Sequence, residues 1–191
     1  HELRDREIPY RIVGGHKFYD RKEVKDVMGY LRLVANHDSD VDLLRIINVP
    51  PRGIGASTTK RLGEIAASRR TGLWKALPVA EAADEIGRKE RLQLKAFRDT
   101  IEQFGKGVDS GRASEIAQRL ITGTGYRRMW ESDAKLLAKE GKFSDAQASE
   151  ERVRNVDEVV NAIASYEQRA VDDGRSTSLK GYLQMVSLAE E

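Results

Sequence analysis

The residues best suited to chemistry lie in Asn48-Val49-Pro50-Pro51-Arg52-Gly53-Ile54-Gly55 and the run Ala56-Ser57-Thr58-Thr59-Lys60-Arg61 that follows. Pro50 and Pro51 end one helical pattern and force an extended approach. Gly53 and Gly55 flank a single apolar residue, and Ser57, Thr58 and Thr59 offer N-cap hydroxyls to the next helix. A Gly-apolar-Gly turn feeding a helix aims backbone N–H groups outward, with no Cβ to block an oxyanion. Arg52, Lys60 and Arg61 add positive charge on either side. Such a turn can hold phosphate, and through it a nucleic-acid backbone, without reading bases. The same residues also fit an ordinary proline–glycine turn with a capped helix.

Other chemistries find little support. There is no cysteine, which excludes disulfides and thiolate metal sites and agrees with a reducing, cytoplasmic location. His1, His16 and His37 share no metal-ligand spacing, so no metal site is expected. No nucleophile is set beside a histidine, and the plentiful carboxylates form no motif, so no catalytic residue is expected. No G-x-x-x-x-G-K-[ST] phosphate loop occurs, so neither ATP nor any other cofactor is expected on this chain. No apolar run reaches the length of a membrane span, and no signal-peptide pattern opens the chain. A start at histidine, with no initiator methionine, reads as a piece of something longer.

The net charge of +2 says little, but its distribution says more. Between Leu43 and Lys75 stand Arg45, Arg52, Lys60, Arg61, Arg69, Arg70 and Lys75 against one acid, Glu64. Acids prevail between Asp145 and Asp173. An anionic partner at the Gly-Ile-Gly end follows from the first block, unless these charges simply solvate helix faces.

The elements that must position the turn are helical. Charged residues make up 34% and aromatics 6%, which suits a surface-rich helical domain better than a deep α/β core. Ile8–Val13 reads as a short strand stopped by Gly14-Gly15. Asp20, with Glu23 three residues on, reads as the N-cap of a helix burying Val24, Val27, Met28, Leu31, Leu33 and Val34. Ser39 or Asp40 caps a short helix carrying Val41, Leu44, Ile46 and Ile47. The helix after Gly55 buries Leu62, Ile65 and Ala66, and a short one carries Leu73, Trp74 and Leu77. Pro78 to Gly87 reads as a loop or a weak helical turn.

A long helix from Arg88 turns Leu92, Leu94, Phe97, Ile101 and Phe104 inward, and the next buries Ile116, Leu120 and Ile121 up to Gly123. A second Gly-Thr-Gly, before Tyr126-Arg127-Arg128-Met129-Trp130, is better explained by core packing than by anion binding. Trp74 and Trp130 likewise read as core rather than as base-stacking platforms. Asp133 to Gly141 reads as a charged loop. A long helix spans Asp145 to Asp172, and Thr177 or Ser178 caps a last one with Leu179, Tyr182, Leu183, Val186 and Leu188. The expected fold is all-α: about eight helices after one short N-terminal strand.

Three blocks carry a resemblance. Ile8-Pro9-Tyr10-Arg11-Ile12-Val13-Gly14-Gly15-His16-Lys17-Phe18-Tyr19-Asp20, then Tyr30-Leu31-Arg32-Leu33, then Arg45 through Gly55, are similar in residues and spacing to the UvrD/PcrA/Rep group of superfamily 1A DNA helicases. Thr122-Gly123-Thr124-Gly125-Tyr126, Arg154-Asn155-Val156-Asp157-Glu158 and Tyr182-Leu183 resemble weaker, later landmarks of the same group. The resemblance implies that residues 1–15 are a strand and Gly-Gly hinge leaving the second motor domain. Residues 16–191 would then be the inserted helical accessory domain called 2B. Gly14 and Gly15 would be the swivel, and duplex DNA ahead of the fork would be gripped by Arg52, Gly53, Ile54, Gly55, Thr58, Lys60 and Arg61.

On that resemblance the partners are double-stranded DNA, duplex/single-strand junctions and the parent's motor domains, with repair or transcription proteins beyond them and no membrane. ATP, Mg²⁺ and 3′-to-5′ unwinding would belong to the parent, whose catalytic motifs lie outside this chain. Alone it would not be an enzyme. The alternative is a protein-interaction module, docking on the motor or on other proteins, with DNA contact incidental.

Overall fold

The computed structural model describes residues 15–190, and among them every regular element is a helix. In chain order these are α1 (Gly15–Tyr19), α2 (Lys22–Ala35), α3 (Asp40–Ile46), α4 (Ala56–Arg69) and α5 (Leu73–Ala80). Then come α6 (Arg88–Gly105), α7 (Ala113–Gly123), α8 (Tyr126–Lys139), α9 (Phe143–Asp172) and α10 (Leu179–Glu190). The expected strand at Ile8–Val13 and hinge residue Gly14 lie outside the described residues, while Gly15 opens α1.

The domain is built around α2. A surface helix would bury one stripe, but here almost every residue from Glu23 to Val34 is buried. Contacts with α1, α3, α6, α7, α9 and α10 surround it. Its polar interior positions are therefore answered by partners. Asn155 Nδ2 donates to Glu23 Oε1 at 2.6 Å, and Asp26 receives Lys22, Arg45 and Tyr126. Unpaired, either carboxylate would be costly at that depth.

Two expected landmarks move at this helix. Arg21, not Asp20, is the N-cap, with no side-chain cap bond. Asp20 instead pairs with Lys25 at 3.3 Å, and Glu23 is committed to Asn155. Ser39 does cap α3, accepting from the Asp42 amide. Leu43 and Ile46 are buried while Val41 and Leu44, also carried by this helix, are 78% and 50% exposed. Leu92 and Leu188 are exposed as well.

Among the described residues there are ten helices rather than about eight. One addition is α1. The other is α8, which converts the expected Asp133–Gly141 loop into helix as far as Lys139. Its sequence is charged because one face is wet, while the other packs along α9. Arg127 pairs with Asp157 at 2.9 Å, and the Ser149 hydroxyl donates to Asp133, a register that runs the two helices antiparallel. At 30 residues α9 is about 45 Å long. Pro78 lies inside α5, in its final turn, where a single ladder bond is forfeited. Ser178 Oγ accepts from the Gly181 amide at 3.1 Å, the capping expected for the last helix.

Candidate nucleic-acid interface

The turn between α3 and α4 is fixed from inside. Asn48 Oδ1 accepts the Arg52 amide at 2.7 Å and the Ile54 amide at 3.1 Å, closing the backbone around one side-chain oxygen. Gly53 sits between them at φ +77°, a left-handed conformation that favours glycine. Ile54 is 1% exposed and anchors the turn in the core. The Val49–Pro50 peptide is cis.

Arg52 does not reach outward. Its Nη1 donates to the carbonyls of Ile46 at 2.9 Å, Pro50 at 3.2 Å and Ile47 at 3.3 Å. Its Nη2 donates to the Tyr30 hydroxyl, which donates in turn to the Val49 carbonyl. The guanidinium carbon stands 5.5 Å from the Phe97 ring centroid and 5.8 Å from that of Tyr30. Burial pushes the Tyr30 hydroxyl pKa above its usual value, with the Arg52 charge pulling the other way.

Beyond this braced turn α4 begins. Gly55 is its N-cap in extended conformation, so Ser57, Thr58 and Thr59 fall inside the first turn instead of capping it. Thr59 Oγ1 donates back to the Ala56 carbonyl at 3.0 Å, and the Thr58 side chain is buried. Among the described residues no acceptor pairs with the amides of Gly53, Gly55, Ala56, Ser57 and Thr58. Gly53, Gly55, Ala56 and Ser57 are exposed. Lys60 is exposed with no ion pair among the described residues, whereas Arg61 meets Glu64 at 3.0 Å.

The site residues read from the sequence thus divide. Gly53, Gly55, Thr58, Lys60 and Arg61 line one cleft of about 600 Å³, whose far wall carries Glu85 and Glu90. Arg52 turns away from it, and Ile54 takes no part in its lining. The wider basic block also separates, since Arg45 is bonded to Asp26 while Arg69, Arg70 and Lys75 are exposed. Asn48 and Tyr30 shape the turn, a role the sequence reading gave to neither. An asparagine four residues before the arginine was the available signal for the first; nothing local marks the second.

The two tryptophans are packed rather than presented. His37 stacks on Trp74 with ring centroids 4.1 Å apart. Trp130 is half-buried under the Arg152 guanidinium, 4.6 Å from its ring centroid. Among the described residues no group of three or more His, Asp or Glu could hold a metal ion, and no helix is long and apolar enough to cross a membrane.

The profile of the UvrD-like helicase C-terminal domain matches residues 1–191. The chain is 35% identical over 167 residues to the ATP-dependent DNA helicase PcrA of Bacillus subtilis, covering 86% of this chain and 21% of that protein. It is 34% identical over 161 residues to the PcrA of Staphylococcus epidermidis, covering 84% of this chain and 20% of that one. Against the PcrA of Staphylococcus aureus it is 34% identical over 163 residues, with the same coverage of 84% and 20%. The chain therefore spans about a fifth of the length of these curated relatives. The chain belongs to the UvrD-like helicase C-terminal domain family.

Proposed function

We propose that this chain is the 2B-type accessory domain of an ATP-dependent DNA helicase, gripping duplex DNA by its phosphates ahead of the fork, without sequence preference. Residues 16–191 form the domain on this reading, and residues 1–15 connect it to the motor, with Gly14 and Gly15 as the swivel. ATP, Mg²⁺ and 3′-to-5′ unwinding belong to the motor domains of the parent. The observation that carries the reading is the set of unpaired amides of Gly53, Gly55, Ala56, Ser57 and Thr58 at the head of α4, with exposed Lys60 beside it. A helix N-terminus of this kind stabilises a phosphate through oriented N–H groups and the positive end of the helix dipole.

Binding of this type falls steeply with salt, because each neutralised phosphate releases condensed counterions. The test is fluorescence anisotropy of a tailed duplex titrated with the chain at two salt concentrations, beside single-stranded DNA and a Lys60→Ala/Arg61→Ala variant. Duplex-preferring, salt-sensitive binding that the variant weakens is the expected result. No binding at low salt would remove the grip from this chain. It would favour the second reading, a domain that docks on the motor or on other proteins, for which the 72% exposed Phe143 and neighbouring Leu136 at the α8–α9 tip speak.

A further inference from the structure

We infer that Arg52 is a positioning residue, not a phosphate contact: it holds the turn so that the amides of Gly53 and of Gly55 to Thr58 stay free for the DNA backbone. The inference rests on the duplex-gripping reading and deepens it. A solvent-facing arginine beside a Gly-Ile-Gly turn would be expected to add its charge to the site. Here its nitrogens serve three carbonyls and one hydroxyl of the protein. Two of those carbonyls, from Ile46 and Ile47, end α3, so the guanidinium sits at the negative pole of that helix and satisfies its orphan acceptors.

The hydroxyl of Tyr30 has one proton, and it goes to Val49. It can therefore receive Arg52 only as an acceptor, which fixes the direction of the chain Arg52 to Tyr30 to Val49. The Phe97 and Tyr30 rings lie close to the guanidinium carbon. Asn48 completes the clamp by accepting from the Arg52 and Ile54 amides. Arginine and asparagine together decide which N–H groups of the turn are consumed and which are left over. Lysine could not replace this arginine, since one ammonium nitrogen cannot serve the four acceptors that two guanidinium nitrogens reach here.

Amide hydrogen exchange on the DNA-free chain and salt-dependent DNA titration together test this, with Arg52→Ala, Tyr30→Phe and Lys60→Ala as variants. Tyr30→Phe removes one hydroxyl, keeps every charge, and stands in should Arg52→Ala fail to fold. The expected result is faster exchange of the Arg52 (or substituted) and Ile54 amides in the Arg52→Ala and Tyr30→Phe chains, but not in Lys60→Ala. DNA binding by Arg52→Ala should weaken by about tenfold, the scale of one lost charge-assisted bond, with an unchanged slope of log K against log salt. Lys60→Ala should instead reduce that slope by about 0.9, one phosphate contact. A slope reduced by Arg52→Ala as it is by Lys60→Ala, with exchange unaltered, overturns the inference. Absence of DNA binding by the unaltered chain refutes the gripping reading, and exchange alone then decides whether Arg52 holds the turn.

Discussion

The buried carboxylate of Asp26 accepts a hydrogen bond from the equally buried Tyr126 hydroxyl at 2.9 Å, joining α2 to α8. The same carboxylate receives Arg45 from α3 at 3.2 Å and Lys22 from its own helix at 2.8 Å. Burial pushes the Tyr126 hydroxyl far above its usual pKa, and the Asp26 charge adds to that. Removing the carboxylate strands three donors, though Arg45 and Lys22 are part-exposed and recover some hydration. Asp26→Ala should therefore cost about 2–3 kcal/mol and Tyr126→Phe about 1 kcal/mol. Urea denaturation of the two single variants and the double should show costs that do not add, because both remove the same bond.

Glu167 performs a comparable service at the start of α7. Its Oε1 accepts the Ser114 amide at 2.9 Å, its Oε2 accepts the Ser114 hydroxyl, and Arg112 lies 3.6 Å away. The N-cap Arg112 offers no side-chain cap of its own, so a carboxylate from α9 satisfies the helix end. Glu167→Ala should cost about 2 kcal/mol by leaving the part-buried Ser114 donors unmet. Glu167→Gln, which still accepts, should lose less. Thermal melts of the pair check the order, and equal losses would deny the capping role.

These two contacts mark what could be read from the chain and what could not. Helical spacing placed Leu94, Phe97, Ile101, Ile116, Leu120 and Ile121 inside, because a 3.6-residue period gives each helix one dry face. That logic fails for α2, whose Glu23 and Asp26 look like a wet face. Their partners Asn155 and Tyr126 lie 132 and 100 positions away, and no local pattern points to them. The Gly-Ile-Gly turn was legible as a bend into a helix from its prolines and glycines. The inward turn of Arg52 was not, since its acceptors are backbone carbonyls, which every residue carries alike. Asp133–Lys139 read as loop for the opposite reason, a charged surface face masking the buried Ala134 of a helix that packs along α9.

The two glycines of the turn should not respond alike. Gly53 is held at φ +77° with open space where a Cβ would stand, so Gly53→Ala meets backbone strain and no clash. Its expected cost is about 1 kcal/mol. Gly55 has an ordinary extended conformation and equally open surroundings. Gly55→Ala should lose only about 0.5 kcal/mol, the difference between glycine and alanine as an N-cap. Chemical denaturation resolves the two, and a reversed order would contradict the turn geometry.

His37 should make stability depend on pH near neutrality. Its ring stacks on Trp74, and its Nε2 is buried with no hydrogen-bond partner among the described residues. Burial pushes its pKa below the usual value, more strongly than the charges of Glu102 and Asp38 pull it up. The unfolded chain therefore binds a proton here at a pH where the folded chain does not. The stability tied to the neutral ring is present above the unfolded value of about 6.5 and is lost as pH falls through the lower folded value. The loss cannot exceed about 1.4 kcal/mol per pH unit for one proton. His37→Phe keeps an aromatic ring against Trp74 and removes the titration. Melting temperatures of both chains from about pH 7.5 to about pH 5.5, roughly one unit either side of the free histidine value, should show the unaltered protein losing more than the variant as the medium becomes acid. Parallel curves would mean that the ring takes up its proton equally easily in the folded and unfolded chain, and that the stack on Trp74 does not exclude the charged form.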